Sequence, residues 1–370
     1  MRIAYIISED ISTPSGVLKK VEAKIKYWKQ YGHEVTVISL KSNSMISLID
    51  DGVVLSQYVK EKNLKKKFLR RFSVSRKLDK YLKGLKPDII YTRYISGSPD
   101  LVSVLKKYAP YIVEINTNDV EEFKNGKLRR YILNLLIRNY FFGNAKGFVS
   151  VSKELMSNKI FTKFHKKFVV IGNGYDFNNV KNKKLFFNDN PKFIFIGSPK
   201  QAWHGTDKIV KLANSLKNYE FHIVGPEKTD LLSNEKIGDN IVFHGYCNTE
   251  YLEKLIPQCD IGISTLALHR NNMLEASPLK SREYLAYGLP IVLGYDDSDL
   301  PQNFKYSLNI GNYENNVVDN IDNIKVFANS FRKVKPIEVI ESSKKYLDYQ
   351  EKERIRLEFI QKILKKDEKG

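Results

Sequence analysis

Continuous apolar runs alternate with amphipathic segments along the whole chain. In the first half, runs that predict strands cover residues 2–8, 34–40, 88–94, 111–115, 147–151 and 168–172. In the second half they cover 192–197, 220–224, 240–245, 260–264 and 290–294. Strands that are apolar throughout are typical of parallel sheets, which helices cover on both faces. The pattern therefore predicts an α/β protein built on parallel sheets.

Helical periodicity fills the intervals between the predicted strands. The amphipathic segments are 16–31, 64–84, 98–108, 119–142, 152–163, 204–217, 249–256, 279–287 and 314–330, followed by one long helix over 337–366. After six strands, residues 172–184 are rich in Gly, Asn and Lys, which favour a linker. We therefore predict two tandem Rossmann-like domains, residues 1–176 and residues 177–345.

The net charge of +19 is concentrated in the first half of the chain. Residues 1–176 hold 33 basic and 16 acidic residues, whereas the remainder holds 28 and 26. Such an excess indicates an anionic partner, or else a solvated lysine face. No apolar run approaches the roughly 18 residues that a membrane span requires, and the first residues resemble a buried strand rather than a signal peptide.

Cysteines and histidines give no sign of a disulfide or a metal site. Cys247 and Cys259 are the only cysteines and lie in apolar, strand-like surroundings, so we expect small buried thiols. The six histidines show no metal-ligand spacing. We therefore expect neither a bound metal nor a cofactor.

The stretch from Glu275 to Pro290 is the most informative segment. Ser277 suits a helix N-cap, and Pro278 suits the first helical position. Gly288 and Pro290 favour the end of the helix. The free N–H groups of Leu279 and Lys280 would then favour a phosphate. A sugar nucleotide laid across this start would place its sugar at Glu275, its diphosphate at the helix start and Lys280, and its ribose at Glu283.

Three further loops carry candidate ligands for a donor. The loop 12–17 brings Gly16 close to a strand end, although it is neither a dinucleotide fingerprint nor a P-loop. The loop 197–207 contributes Lys200, His204 and Gly205, and the loop 269–275 contributes Arg270, all as candidates for the diphosphate. Ordinary surface turns explain each of these loops equally well.

The first half offers a second group of polar residues at predicted strand ends. Glu114, Asn116, Asn118 and Asp119 cluster at the end of one strand and Arg93 lies at the end of another, as expected of groups that bind acceptor hydroxyls. Two basic amphipathic stretches, 59–87 and 124–142, interleave lysines and arginines with large apolar residues. Such helices rest on anionic headgroups at roughly 1 kcal/mol per nearby cation, or else pack on a core with a solvated outer face.

These motifs resemble those of retaining GT-B glycosyltransferases of family 4. Glu275 and Glu283 match the family's E-x7-E pattern, and residues 147–154 and 171–176 resemble other family segments. Two departures stand out: His204 replaces the usual lysine before Gly205, and Ser15-Gly16 replaces the usual Gly-Gly. The acceptor-side histidine of many relatives is missing, and residues 114–119 occupy its region.

The resemblance implies a metal-independent transferase that retains the configuration of the sugar. The C-terminal domain would bind the nucleotide-sugar donor and the N-terminal domain the acceptor, with residues 346–370 returning to the N-terminal domain. It implies catalytic roles for Glu275 and, in place of the histidine, Glu114. With the basic half, it suggests a polyprenyl-linked or surface-polysaccharide acceptor at the cytoplasmic face of the plasma membrane.

Two other functions remain open on the sequence. A sugar-nucleotide epimerase shares the fold, and a non-catalytic protein that binds nucleic acid or another anionic polymer would explain the charge. No nucleic-acid-binding motif appears, so nucleic acid is not an expected partner.

Overall fold

The chain folds into two compact units. The computed structural model describes residues 1–60, 63–95, 99–120, 128–180, 188–231 and 236–367. One unit comprises residues 1–171 together with 352–370, and the other comprises residues 172–351. These limits lie a few residues from the predicted domain boundaries. Linker residues 181–184 lie outside the described residues.

The first unit is built on a seven-stranded parallel sheet. Its strands are β1 (Arg2–Ile7), β2 (Glu34–Ser39), β3 (Gly52–Val54), β4 (Ile89–Arg93), β5 (Tyr111–Ile115), β6 (Gly147–Ser150) and β7 (Lys167–Val170). Their order is β3-β2-β1-β4-β5-β6-β7, and every neighbouring pair is parallel. The six predicted strands are confirmed, while the three-residue edge strand β3 was missed.

Helices cover both faces of this sheet. They are α1 (Gly16–Gln30), α2 (Leu64–Leu85), α3 (Pro99–Tyr108), α4 (Leu128–Asn144), α5 (Lys153–Ser157) and α6 (Lys159–Thr162). One apolar cluster includes Leu78, Leu82 and Phe142, and the other includes Trp28 with Ile360 from the end of the chain. In the predicted helix 119–142, residues 121–127 lie outside the described residues.

The second unit holds a six-stranded parallel sheet and a small two-stranded one. The strands are β8 (Lys192–Ile196), β9 (Glu220–Val224), β10 (Ile241–Gly245), β11 (Ile261–Ile263), β12 (Glu275–Ala276), β13 (Ile291–Leu293), β14 (Asp296–Asp297) and β15 (Ser307–Asn309). The large sheet has the order β10-β9-β8-β11-β13-β15, and β12 pairs with β14. The five predicted strands are confirmed; the short strands β12, β14 and β15 were missed.

The helices of the second unit follow the predicted pattern closely. They are α7 (Thr206–Ser215), α8 (Thr249–Leu255), α9 (Leu279–Ala286), α10 (Ile321–Phe331) and α11 (Pro336–Leu347). The helix predicted over 314–330 begins only at Ile321, after a 3-10 turn at Val318–Asn320.

The prediction of one continuous helix over 337–366 is wrong. α11 ends at Leu347, and the next residue, Asp348, has an extended backbone with ψ 128°. A separate helix, α12 (Tyr349–Asp367), begins after it. Tyr175 fixes this break, since its N–H donates to Leu347 O at 2.8 Å and its carbonyl accepts from the Tyr349 N–H at 3.1 Å. Beyond the break, residues from Lys352 onward belong to the first unit, which confirms the predicted return of the last helix.

The return is fixed by polar contacts as well as by apolar packing. The Trp28 indole Nε1 donates to Glu353 at 2.9 Å, and Arg356 Nη1 donates to the Tyr91 hydroxyl at 2.8 Å. All four side chains are buried. The end of the chain is therefore an integral part of the first unit's core.

Both cysteines are free thiols, with Cys259 buried and Cys247 half-buried. Within the described ranges, no helix is both long enough and apolar enough to cross a bilayer.

Candidate functional site

The start of α9 is an uncapped helix terminus that follows β12. No side chain caps it, and Pro278 occupies the cap position with an extended backbone. The prediction of Ser277 as N-cap is wrong: its hydroxyl accepts from the Asn173 N–H at 2.6 Å and donates to Asp299 at 3.3 Å. Among the described residues, no side chain caps the N–H groups of the first turn, as an anion site at a helix start requires.

Three buried polar side chains anchor α9 in place. Ser281 shares hydrogen bonds with Ser264 at 2.6 Å and Tyr295 at 3.0 Å. The Tyr284 hydroxyl accepts from the Ile196 N–H at 2.7 Å, which ties the helix to β8. The helix start is thus held rigidly before any ligand binds, so binding there costs little ordering entropy.

Arg282 is the strongest of these anchors. It is fully buried, pairs with Asp297 and with Asp299 (Nη2 to Oδ2 2.6 Å), and donates from Nε to Asn173 O at 3.1 Å. The acidic run 296–299 therefore contains strand β14, which pairs with β12, and both of the carboxylates that hold Arg282.

Lys280 is the exception among the buried polar residues of α9. It is only 9% exposed, and its Nζ has no hydrogen-bond partner within the described part of the chain. Nζ lies 4.0 Å from the centroid of the Phe195 ring. Burial lowers the pKa of Lys280 well below the usual lysine value.

The balance of energies at Lys280 favours a neutral amine. A cation–π contact stabilises the charged form by about 2 kcal/mol when desolvated. Burying an unpaired ammonium costs several kcal/mol, so burial outweighs the ring. A buried polar group left without a partner is costly, and an ordered water, an ion or a ligand ordinarily supplies the missing bond.

His204 is a second buried polar group beside the same ring. It is 4% exposed, its Nδ1 has no partner among the described residues, and its ring meets Phe195 at a centroid distance of 5.3 Å. Burial lowers the pKa of His204 to about 3, so the imidazole is neutral. A Cβ added at Gly197 would lie 2.6 Å from Phe195 and 2.8 Å from His204 Nδ1, which explains the glycine there.

The two glutamates of the E-x7-E pattern lie on either side of the helix start along the chain. Glu275 belongs to β12, where it pairs in register with Asp296. Glu283 lies in the second turn of α9 and accepts from the Tyr175 hydroxyl at 3.5 Å. Both carboxylates are half-buried, and the structure places them before and after the uncapped turn as the sequence predicts.

The other predicted donor residues have different surroundings. Lys200 is 80% exposed, and its Nζ lies 3.9 Å from Asp230. Arg270 is occupied by a bidentate pair with Asp207 (2.9 and 2.8 Å), by Glu314 and by Ala202 O. Gly205, at φ 72°, joins the 3-10 turn of His204 to α7. Gly16 is the first residue of α1 in the other unit, and its donor role stays a prediction.

Glu114, predicted as a catalytic residue, is the centre of a buried charge network in the first unit. Its side chain is 2% exposed and pairs with Lys20 at 3.0 Å, with Lys24, and with Arg356 at 3.7 Å. The Tyr91 hydroxyl also donates to it at 2.6 Å. Burial raises the pKa of Glu114, but the surrounding cations outweigh burial and hold it well below the usual range.

This placement argues against direct contact of Glu114 or Asp119 with an acceptor. Asp119 is buried and forms a bidentate pair with Arg138, at 2.5 and 3.0 Å, which leaves no free carboxylate edge. Asn118 accepts from the Val120 N–H at 3.2 Å, as in a local turn. Both carboxylates therefore serve the fold of the first unit.

Partly exposed polar groups remain at the carboxyl edge of the first sheet. Arg93, at the end of β4, forms an ion pair with Glu9. Asn116 accepts from Lys20 Nζ at 3.0 Å and donates to Glu114 at 3.1 Å. Sequence reasoning missed Lys20 and Lys24, although a lysine between Val21 and Ile25 on the apolar face of a helix signals a buried partner.

Among the described residues, no group of three or more His, Cys, Asp or Glu side chains is placed to hold a metal ion.

Comparison with known families identifies both halves of the chain. The family model described as Glycosyltransferase Family 4 matches residues 15–179, and the model described as Glycosyl transferases group 1 matches residues 166–302. Together they span residues 15–302. No curated protein matches the chain.

Solved structures share the fold over nearly the full length. Sucrose-phosphate synthase from Thermosynechococcus elongatus superposes with a TM-score of 0.71 at 13% identity, covering 98% of both chains. Anabaena HepE in complex with UDP-glucose gives 0.66 at 13%, covering 98% of this chain and 100% of its own. The lipopolysaccharide outer core galactosyltransferase WaaB gives 0.64 at 15%, covering 95% and 98%. At these identities the likeness shows the two-domain GT-B architecture alone.

Proposed function

We propose that this chain, a glycosyltransferase of the GT4 (group 1) type, moves a sugar from a nucleotide-diphosphate sugar to an acceptor hydroxyl with retention at the anomeric carbon. The uncapped start of α9, flanked along the chain by Glu275 and Glu283, carries the proposal. It suits a ligand whose phosphates lie between two hydroxyl-bearing groups.

Each part of the site has a role in this proposal. The N–H groups of Leu279 and Lys280 bind the diphosphate, Glu283 binds the ribose, and Glu275 binds hydroxyls of the transferred sugar. As the bond to the sugar breaks, negative charge accumulates on the departing diphosphate. Donors that are already fixed in place stabilise this charge without reorganisation, which is a large source of catalysis. Glu114 acts in this scheme by positioning Lys20 and Asn116.

We also propose that the donor carries a uridine nucleotide and that the reaction needs no divalent metal. HepE is described in complex with UDP-glucose, which supports a uridine nucleotide as the first donor to test. We expect donor binding and turnover without a divalent metal, because N–H groups and a lysine would neutralise the diphosphate. Equal turnover in Mg²⁺ and in EDTA is the expected result, and loss of turnover in EDTA would contradict it.

The acceptor in this proposal is a lipid-linked precursor of a surface polysaccharide, met at the cytoplasmic face of the plasma membrane. An excess of 17 positive charges lies in residues 1–176. Apolar side chains are exposed on α2 and on the loop after β2, with Ile46 73% and Leu69 64% exposed. In the two predicted basic stretches, residues 61–62 and 124–127 lie outside the described residues.

A groove on the same unit supports a lipid-bearing acceptor. Its volume is about 580 Å³, and apolar side chains of the loop, β3 and α2 line it, with Lys77 and Lys80 at its side. The set is Met45, Val54, Leu55, Lys77, Lys80, Tyr81, Gly84 and Leu85. Apolar surface beside lysines suits the interface of an anionic bilayer.

The transfer reaction is tested with water as the acceptor, since the natural acceptor is unknown. The enzyme is incubated with UDP-glucose, UDP-galactose and GDP-mannose, and proton NMR follows the first sugar released. Retention predicts that an α-linked donor releases the α anomer first. Release of the β anomer first, or no turnover of any donor, would contradict the proposal, and an epimerised sugar would favour the epimerase.

The membrane part has its own test. Sedimentation with phosphatidylcholine vesicles is compared with sedimentation with vesicles that also contain phosphatidylglycerol. We expect binding to the anionic vesicles alone, weakening steeply as salt is added. An exchange of Ile46 and Leu69 to serine should weaken this binding while UDP binding stays unchanged. Absence of binding to the anionic vesicles at moderate salt would refute membrane docking.

A further inference from the structure

We propose that Lys280 supplies the cation for the donor diphosphate in this chain, and that its amine takes up a proton from solvent as the nucleotide binds. This inference rests on the proposed donor site and goes further, because it selects one residue and assigns it a change of protonation. The only bond that forms is N–H, and the ammonium then pairs with the diphosphate oxygens.

Lys280 lies in the first turn of α9, at the uncapped helix start. It is the second residue of α9, and side chains of a helix lean toward its N-terminus. Its amine is buried and unpartnered among the described residues, whereas Ser281, Arg282 and Tyr284 on the same helix all have buried partners. A group that the fold leaves unsatisfied beside an uncapped helix start faces a ligand rather than the protein.

The other basic candidates are committed elsewhere. Arg270 is bound on both guanidinium edges by Asp207, Glu314 and Ala202 O. Lys200 extends into solvent next to Asp230. His204 occupies the position of the usual lysine but is neutral, since burial keeps its pKa low. Lys280 is therefore the one buried cation source at this helix start among the described residues.

The protonation change follows from the surroundings of the amine. Phe195 on β8 brings no charge, His204 on the preceding turn is neutral, and Arg282 on α9 is neutralised by Asp297 and Asp299. Glu283 on α9 contacts Tyr175. Burial keeps the pKa of Lys280 low, and a diphosphate beside it would raise that pKa by adding negative charge.

Calorimetry of UDP binding in two buffers tests whether a proton is taken up as the nucleotide binds. Titrations in PIPES and in Tris at the same pH differ in enthalpy in proportion to the protons taken up, and neither buffer brings a competing phosphate. At about pH 8 the nucleotide itself is fully ionised, since a terminal phosphate has its second pKa near 6. Wild type should take up close to one proton, and Lys280→Met none.

The UDP affinity of the same variants tests whether Lys280 supplies the cation for the diphosphate. Lys280→Met should weaken UDP binding at least about tenfold without lowering the melting temperature, because it removes a buried amine that has no partner. Lys325→Met, an exposed lysine of the same unit, is the matched control and should behave as wild type. A merely structural Lys280 would lower the melting temperature instead.

The outcomes separate this inference from the proposed function. Unchanged UDP affinity in Lys280→Met, or an enthalpy independent of buffer in wild type, would overturn the role of Lys280 while leaving the donor site in place. If wild type bound none of UDP, GDP and ADP, the donor site and the role of Lys280 would both fall.

Discussion

Two buried lysines, one in each unit, differ in whether the fold supplies a partner for the amine. Lys24 is fully buried in the first unit, where it pairs with Glu114 and lies 3.4 Å from the Tyr5 hydroxyl. Lys280 is nearly as buried in the second unit and has no partner among the described residues. Both side chains are buried, but among the described residues only the Lys24 amine has a hydrogen-bond or ion-pair partner.

The network around Lys24 is complete without a ligand. Glu114 and Glu353 face Lys20, Lys24 and Arg356, and Tyr91 and Trp28 add further hydrogen bonds. A third buried lysine, Lys208, follows the same rule: its Nζ contacts Leu266 O, Tyr313 O and Asn316 at 2.8 to 3.1 Å. Lysines whose amines are fully hydrogen-bonded in this way stabilise a fold, whereas we propose that the Lys280 amine is kept for the nucleotide.

The largest expected effect is on stability, at the centre of the network. Glu114→Gln removes the carboxylate that Lys20, Lys24 and Arg356 share, and only Arg356 keeps another, Glu353. The first unit should therefore lose about 3–5 kcal/mol. Trp28 and Trp203 are the only tryptophans and lie one in each unit, so denaturation of a Trp203→Phe background reports the first unit. A loss below about 1 kcal/mol would mean that the network is not structural.

Glu283 should show the opposite behaviour, with binding affected and stability spared. Glu283→Ala removes a carboxylate that we assign to the ribose, and a hydrogen bond to a charged group contributes about 1.5–3 kcal/mol. The Kd for UDP should therefore rise about tenfold to a hundredfold. Glu341→Ala, an exposed glutamate of α11, is the control. Equal UDP affinity in the two variants would remove Glu283 from the site.

A smaller effect is expected where the last helix joins the network. Trp28→Phe keeps an aromatic ring but removes the donor to Glu353, which retains Arg356. We expect a loss of about 1.5 kcal/mol, measured by circular dichroism during urea denaturation. An unchanged midpoint would show that the hydrogen bond from Trp28 does not help to hold α12.

The smallest effect, counted per pH unit, is a pH dependence of the first unit's stability. Burial lowers the pKa of Lys24 to about 7 despite Glu114 nearby. Between about pH 7 and 10 the unfolded chain therefore binds a proton that the folded unit does not, so stability rises with pH, by at most about 1.4 kcal/mol per unit. Denaturation of wild type and Lys24→Met at pH 7 and 9 measures this slope. A slope that falls with pH, or that persists in Lys24→Met, would contradict the assignment.

The sequence predicts what depends on local pattern. Continuous apolar runs identify the long strands, and the spacing of Glu275, Pro278 and Glu283 identifies the helix that follows the donor segment. Short strands such as β3 and β15 have too few residues to show a pattern. The break at Asp348 depends on pairing with Tyr175, which lies far away along the chain.

The roles of charged residues depend on partners that are distant in sequence. Arg270 and Lys280 are equal candidates on the sequence, and only the pairing of Arg270 with Asp207, 63 positions away, separates them. Glu114 lies near the end of β5 as a catalytic carboxylate would, but Lys20 and Arg356 neutralise it. A local pattern therefore identifies a candidate site, whereas three-dimensional contacts decide which of its members are free to act.

A crystal structure of the chain with UDP would show whether the start of α9 and Lys280 bind the diphosphate. We expect the β-phosphate within hydrogen-bonding distance, about 3 Å, of the N–H groups at the start of α9 and of Lys280 Nζ, with the ribose at Glu283. A diphosphate bound at Arg270 or Lys200, away from the start of α9, would contradict it.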